Sequence, residues 1–148
     1  MNRLGGVLAP SLVLVALAAG GCATPLQYTA NDQLVTSQGL DATRSKLKEV
    51  MMRAVVPRVV AVDISDDNVD YKWTQQHMGA FYQVSTITNQ QQMYFTNMES
   101  AELYSNHYVY VWRNGRSGAD QILFAGEPDA KSFIDNLWSL RANRLAKK

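Results

Sequence analysis

From Asp41 onward, apolar residues recur at helical spacing. Leu47, Val50, Met51, Ala54 and Val55 share one face, and Arg44, Lys46, Lys48 and Arg53 lie mostly opposite. Asp41 suits the N-terminal cap of such a helix, and Pro57 ends it by biasing its predecessor away from helical angles. The period then shortens to two. Val59–Val62, Val69–Trp73, Phe81–Ile87, Met93–Thr96, Ala101–Tyr104, His107–Trp112 and Ile122–Ala125 read as about seven short strands. Polar turns are expected at Asp63–Asn68, Asn89–Gln92 and Asn114–Gly118. Helical spacing returns after Gly126-Glu127-Pro128-Asp129, with Ala130, Phe133, Ile134, Leu137 and Leu140 or Arg141 as the apolar stripe and Trp138 beside it. Pro128 and the two acids suit a helix start, while Arg141, Arg144, Lys147 and Lys148 suit its end. The predicted fold class is α+β: an N-terminal helix, about seven antiparallel strands in a small barrel or sandwich, and a C-terminal amphipathic helix.

The first 40 residues follow other rules. Residues 1–21 have one charge, Arg3, then apolar runs at Val7–Ala9 and Leu12–Ala19, and then small residues. A basic start, an apolar stretch and a small-residue exit make the three-part pattern of an export signal. Residues 22–40 are polar and small, with Pro25 and Gly39 and no sustained period, and read as a flexible tether. Residues 41–148 are left as a single globular domain.

Composition narrows the possibilities further. A length of 148 residues supports one folded unit, and 18% charged residues with 47% apolar residues is a globular balance. The net charge of +1 gives no electrostatic case for binding nucleic acid. Without Arg3, basic and acidic side chains balance at 13 each. Cys22 is the only cysteine, which excludes an internal disulfide and a thiolate zinc cage.

The run Ala19-Gly20-Gly21-Cys22 resembles the lipobox of bacterial lipoproteins, with Ala19 standing where leucine is usual. The resemblance implies that Cys22 becomes the mature N-terminus and carries a diacylglyceryl group and a further acyl chain such as palmitate. Several acyl chains on one residue make a durable anchor, at about 0.8 kcal/mol per buried methylene. Ala23 and Thr24 include no aspartate, the residue that in enteric bacteria retains lipoproteins in the inner membrane. The implied location is the cell outer membrane, facing the periplasm. The alternatives are a plain secretory signal or an uncleaved helix over Leu4–Cys22, which is 19 residues long but interrupted by Gly5, Gly6, Pro10, Ser11, Gly20 and Gly21.

The order of seven strands followed by a helix is similar to the pleckstrin-homology-like superfold, in which a terminal helix plugs one end of a bent barrel. The resemblance covers roughly residues 58–141 and is carried by Tyr108–Trp112, Ile122–Phe124 and Asp129–Leu137. Phosphoinositide-binding members carry basic residues around the first hairpin. Here that turn holds Asp63, Asp66, Asp67 and Asp70, so headgroup recognition is not implied.

The acidic turn is the one cluster with metal-ligand chemistry, since hard oxygens could hold calcium. It lacks the glycine and distal glutamate of an EF-hand loop, and Asp and Asn favour turns for backbone reasons. His77 and His107 stand 30 residues apart with no zinc spacing around them. Neither a nucleophile elbow nor a phosphate-binding loop occurs. Glu99 and Glu102 are spaced as a carboxylate pair might be, but the sequence does not bury them together. No catalytic, metal or cofactor-binding residue is therefore expected. Tyr71 with Trp73, and Tyr108, Tyr110 and Trp112, form period-two stripes that suit either core or an interaction surface.

The expected function is a non-enzymatic, lipid-anchored envelope lipoprotein acting as a periplasm-facing protein-binding or accessory module. The membrane is reached through the lipid on Cys22, and the expected partner is an envelope protein. The alternative is a carrier or sensor for a small apolar ligand lodged between barrel and helix.

Overall fold

The computed structural model describes residues 23–147. The signal over 1–21, Cys22 and Lys148 lie outside the described residues. The fold is α+β, with seven antiparallel strands in two sheets and three helices, the last of them C-terminal.

One sheet contains β1 (Pro25–Leu26), β5 (Met98–Tyr104), β6 (Tyr108–Arg113) and β7 (Ala119–Leu123), in the order β1-β5-β6-β7. The other has the order β2-β3-β4, from β2 (Arg58–Ile64), β3 (Asn68–Met78) and β4 (Val84–Tyr94). A single bridge, Val56 to Leu123, links them: Leu123 N–H donates to Val56 O at 2.7 Å and Val55 N–H donates to Leu123 O at 2.8 Å. The sheets are not closed into a barrel, because β2 turns from this bridge to pair with β3 instead of following β7.

Three helices complete the fold: α1 (Leu34–Gln38), α2 (Leu40–Met51) and α3 (Glu127–Ala146). Leu47, Val50 and Met51 of α2 are buried, as their spacing predicts, while Val55 is exposed because the chain leaves the helix at Met52. Asp41 lies inside the first turn of α2, and the capping position belongs to Gly39 with no side-chain cap. The α3 stripe of Ala130, Phe133, Ile134, Leu137 and Leu140 is buried, with α3 packed on α2 and on β5 and β6 and the Phe124 and Phe133 rings 5.3 Å apart. Burying a side chain of this size stabilises by about 1.5–3 kcal/mol, so the α3 stripe is a main contributor to the core.

Two expectations are corrected. Residues 24–40 do not extend as a tether. Pro25 and Leu26 pair with Tyr104 and Leu103, Tyr28 Oη donates to Asp135 Oδ1 at 2.7 Å, and Leu34 N–H donates to Ser139 Oγ at 2.7 Å. The segment is fastened to α3 mainly through its own backbone at Asn31 and Leu34 and through the Tyr28 hydroxyl. Asn89–Gln92 is not a turn either. It continues β4, opposite Trp73, Lys72, Tyr71 and Asp70, so the two strands expected at 81–87 and 93–96 are one long strand, and the seventh strand is β1. Its inward alternation, with Met93 buried and Asn89 and Gln91 half-buried, outweighs the turn preference of Asn.

Candidate functional site

β6 alternates strictly. Val109 and Val111 are buried in the core, so Tyr108, Tyr110 and Trp112 must point out of the opposite face of the sheet. Register fills in the rest of that face. Glu102 of β5 and Gln121 of β7 stand opposite Tyr110, and Ser100 and Ala119 stand opposite Trp112. Tyr104 lies diagonally against Tyr110, with ring centroids 4.9 Å apart. Tyr108 and Tyr110 are 6.2 Å apart, and Tyr110 stacks on Trp112 at 6.1 Å with an interplanar angle of 21°. Arg116, from the β6–β7 turn, sits over the Trp112 ring at 5.0 Å, a cation–π arrangement.

The polar groups of this face restrain one another. Arg116 Nη2 donates to Glu102 Oε1 at 2.8 Å, Arg116 N–H to Glu99 Oε2 at 3.3 Å, and Tyr104 Oη to Glu102 Oε2 at 3.2 Å. The two glutamates thus share one arginine. The Glu102 carboxyl is held below the usual carboxylate range, first by the Trp112 indole N–H and then by Tyr104 and Arg116, against the opposing effect of burial. Trp112 Nε1 is buried and outside hydrogen-bonding geometry with any group, so it acts on Glu102 as a nearby dipole. The result is a half-buried ladder of four aromatic rings, capped by a guanidinium and restrained by a carboxylate.

A second feature opens between the sheets. A cleft of about 500 Å³ is lined by Val55, Val56 and Pro57 on one side, Tyr71 and Trp73 on another, and Asp120 near its floor. Asp120 is 7% exposed and accepts hydrogen bonds from Gln91 Nε2 at 3.0 Å and Arg113 Nη2 at 3.2 Å. Burial raises its carboxyl above the ordinary value, and Arg113 and Gln91 oppose that rise. Tyr71 is buried, and its hydroxyl is pushed well up by desolvation and by the Asp120 charge. The Tyr71–Trp73 stripe therefore divides between core and cleft wall.

The acidic turn does structural work. Asp66 pairs with Arg44 of α2, Asp67 with Arg144 of α3 at 2.5 Å, and Asp70 accepts from Gln90 and Gln92 of β4. Among the described residues, no three His, Cys, Asp or Glu side chains converge as metal ligands. His77 lies on the exposed end of β3, and His107 in the β5–β6 turn at φ 67°.

Tyr104, Glu102 and Arg116 join this face through strand register, which the sequence does not display; only the Glu102/Tyr104 alternation hints at them. The sequence itself carries a clearer signal. From Trp73 to Met98 no Asp, Glu, Lys or Arg occurs, and this run forms the end of β3, its turn and all of β4. Compared with protein-family models, curated proteins and solved structures, the chain finds no match in any of the three.

Proposed function

We propose that this chain is a non-enzymatic envelope lipoprotein, acylated on Cys22 and facing the periplasm from the outer membrane, whose aromatic sheet face binds an envelope protein. The supporting observation is the Tyr104–Tyr108–Tyr110–Trp112 ladder with Arg116 over its end. Tyr, Trp and Arg are the residues most enriched where truncation weakens protein interfaces. Here they are ordered in advance, which lowers the entropy lost on binding. Among the described residues no helix is long and apolar enough to cross a membrane, and this reading attaches the chain through the lipid on Cys22.

Photocrosslinking in cells from a reactive residue at Gln121, beside Tyr110, tests the partner. One reproducible envelope protein, lost in a Tyr110→Ala chain, is the expected outcome. Crosslinks unchanged by Tyr110→Ala would overturn the assignment of this face.

The finer fold reading, a pleckstrin-homology-like domain, is supported by the run of antiparallel strands from β2 to β7 followed by α3, whose apolar stripe is buried. The reading of a small-ligand carrier draws on the cleft at Tyr71, Trp73 and Val56, whose size falls in the range of ligand sites. That position lies between the two sheets and not between sheet and α3. A co-purifying apolar metabolite displaced by Trp73→Ala would favour it.

A further inference from the structure

Register places one row of residues across the fold. Pro25 pairs with Tyr104, Leu103 pairs with Val109 so that Tyr104 meets Tyr108, Tyr108 pairs with Leu123, and Leu123 bridges to Val56. Three things lie beyond that row at the same end of the molecule. The first is the β5–β6 turn. The second is the chain preceding Pro25, because β1 runs antiparallel to β5 and its N-terminal side faces outward. Thr24 is fixed there by Ser105, whose N–H donates to Thr24 O at 2.9 Å and whose Oγ accepts from Thr24 N–H at 3.1 Å. The third is the β3–β4 hairpin.

β3 runs toward this end and last pairs with β2 at Thr74, opposite Arg58, two residues from Val56. It continues four residues to Met78, about 13 Å at 3.3 Å per residue, before turning. The tip therefore projects past the row. It is apolar and solvent-facing: Phe81 is 84% exposed, Tyr82 87%, Met78 66% and Val84 60%. It carries no charged side chain. Its backbone is nearly closed on itself, with Met78 paired to Val84, Gly79 N–H donating to Gln83 O at 2.8 Å and Tyr82 N–H to Gly79 O at 3.1 Å. Tyr82 takes φ 57°, a left-handed conformation uncommon for a bulky residue.

We propose that this hairpin tip is a second membrane contact, with Phe81, Tyr82, Met78 and Val84 entering the interfacial layer of the bilayer that holds the acylated Cys22. The proposal rests on the lipoprotein reading for its location, and four observations select a lipid surface as the occupant. Cys22 is two residues from the fixed Thr24, a reach of at most about 7 Å, so acyl chains on it bring this end of the domain to the bilayer. The tip is at the same end. Its apolar and aromatic side chains suit the interface, where rings with one polar edge settle. Its internally bonded backbone brings few unsatisfied polar groups into the poorly hydrated boundary with the acyl chains. Anchor and tip together orient the domain as well as tether it.

Residues 23–147 contain the whole described core, so six histidines placed directly before Ala23 can attach the domain to phosphatidylcholine vesicles containing nickel-chelating lipid, whether or not Cys22 is acylated in cells. That chain has no native cysteine. An environment-sensitive dye on Phe81→Cys should shift to the blue on these vesicles and be quenched by nitroxide-bearing lipid. The same dye on Gln90→Cys, further along β4, should do neither. A tip dye that stays water-exposed and unquenched overturns the proposal. So does a dye shielded equally with and without vesicles, the outcome expected if the tip docks on protein. Failure of Cys22 acylation would leave this readout intact and appear only in lipid labelling of the full chain.

Discussion

Tyr28 donates its hydroxyl to Asp135 Oδ1 at 2.7 Å, and the same oxygen accepts the backbone N–H of Asn31 at 2.8 Å. One carboxylate of α3 thus fastens the segment that follows Cys22 to the body of the domain. The Tyr28 hydroxyl pKa is strongly raised, first by burial and then by this bond and charge. Tyr28→Phe should cost about 1 kcal/mol, and Asp135→Ala, which orphans two donors, roughly 1–3 kcal/mol. Limited proteolysis should then cut within residues 24–40 faster than in the parent chain. Equal cutting rates would show that this bond does not hold the segment.

Core and aromatic face should separate cleanly on mutation. Phe133→Ala removes a fully buried ring packed on Phe124 and is expected to cost about 3–5 kcal/mol in denaturant unfolding. Tyr110→Ala removes only cross-strand contacts on the outer face, at about 1 kcal/mol or less, while abolishing the crosslink proposed for that face. A Tyr110→Ala chain as unstable as Phe133→Ala would return the ladder to a structural role.

Two carboxylates should give opposite pH signatures. Asp120 has a raised folded-state pKa, chiefly from burial, so its contribution is fully present below the ordinary carboxylate pKa and lost as pH rises through the folded value. Wild type should therefore lose stability relative to Asp120→Asn as pH increases. Glu102 has a lowered pKa, first from the Trp112 indole, so its contribution is present at neutral pH and lost as pH falls through the folded value. The deficit of Glu102→Gln should shrink in acid. Thermal unfolding of the three chains between about pH 3 and pH 7 covers the range in which carboxylates titrate. Parallel curves would contradict both assignments.

Calcium should leave the thermal midpoint unchanged. Asp66 and Asp67 are engaged by Arg44 and Arg144, and Asp70 by two glutamines, so the turn presents no free oxygen cage. Exposed pairs of this kind contribute about 0–1 kcal/mol each, and Asp67→Asn should be nearly silent. A saturable upward shift with calcium would overturn the structural reading of the turn.

Much of the fold was legible because its signals are local. The apolar stripes of α2 and α3 and the Val109/Val111 alternation of β6 each bury one face, and period alone locates them. Residues 24–40 carry no local sign of their anchoring because their partners, Asp135 and Ser139, lie more than 100 residues away. Asn89–Gln92 reads locally as a turn, but strand pairing with β3 overrides that preference and keeps β4 continuous. Tyr108, Tyr110 and Trp112 were visible as a stripe. Their outward direction followed only once Val109 and Val111 were seen to fill the core. The uncharged run from Trp73 to Met98 was visible throughout, and its meaning emerges from the length by which β3 outruns β2.

The account depends most directly on the thiol of Cys22. Cells fed an alkyne-bearing fatty acid should label the full chain and retain it in the outer-membrane fraction, and a Cys22→Ser chain should lose both the label and the retention. An unlabelled parent chain, or a Cys22→Ser chain that fractionates unchanged, would contradict the lipid anchor on which the proposed function stands.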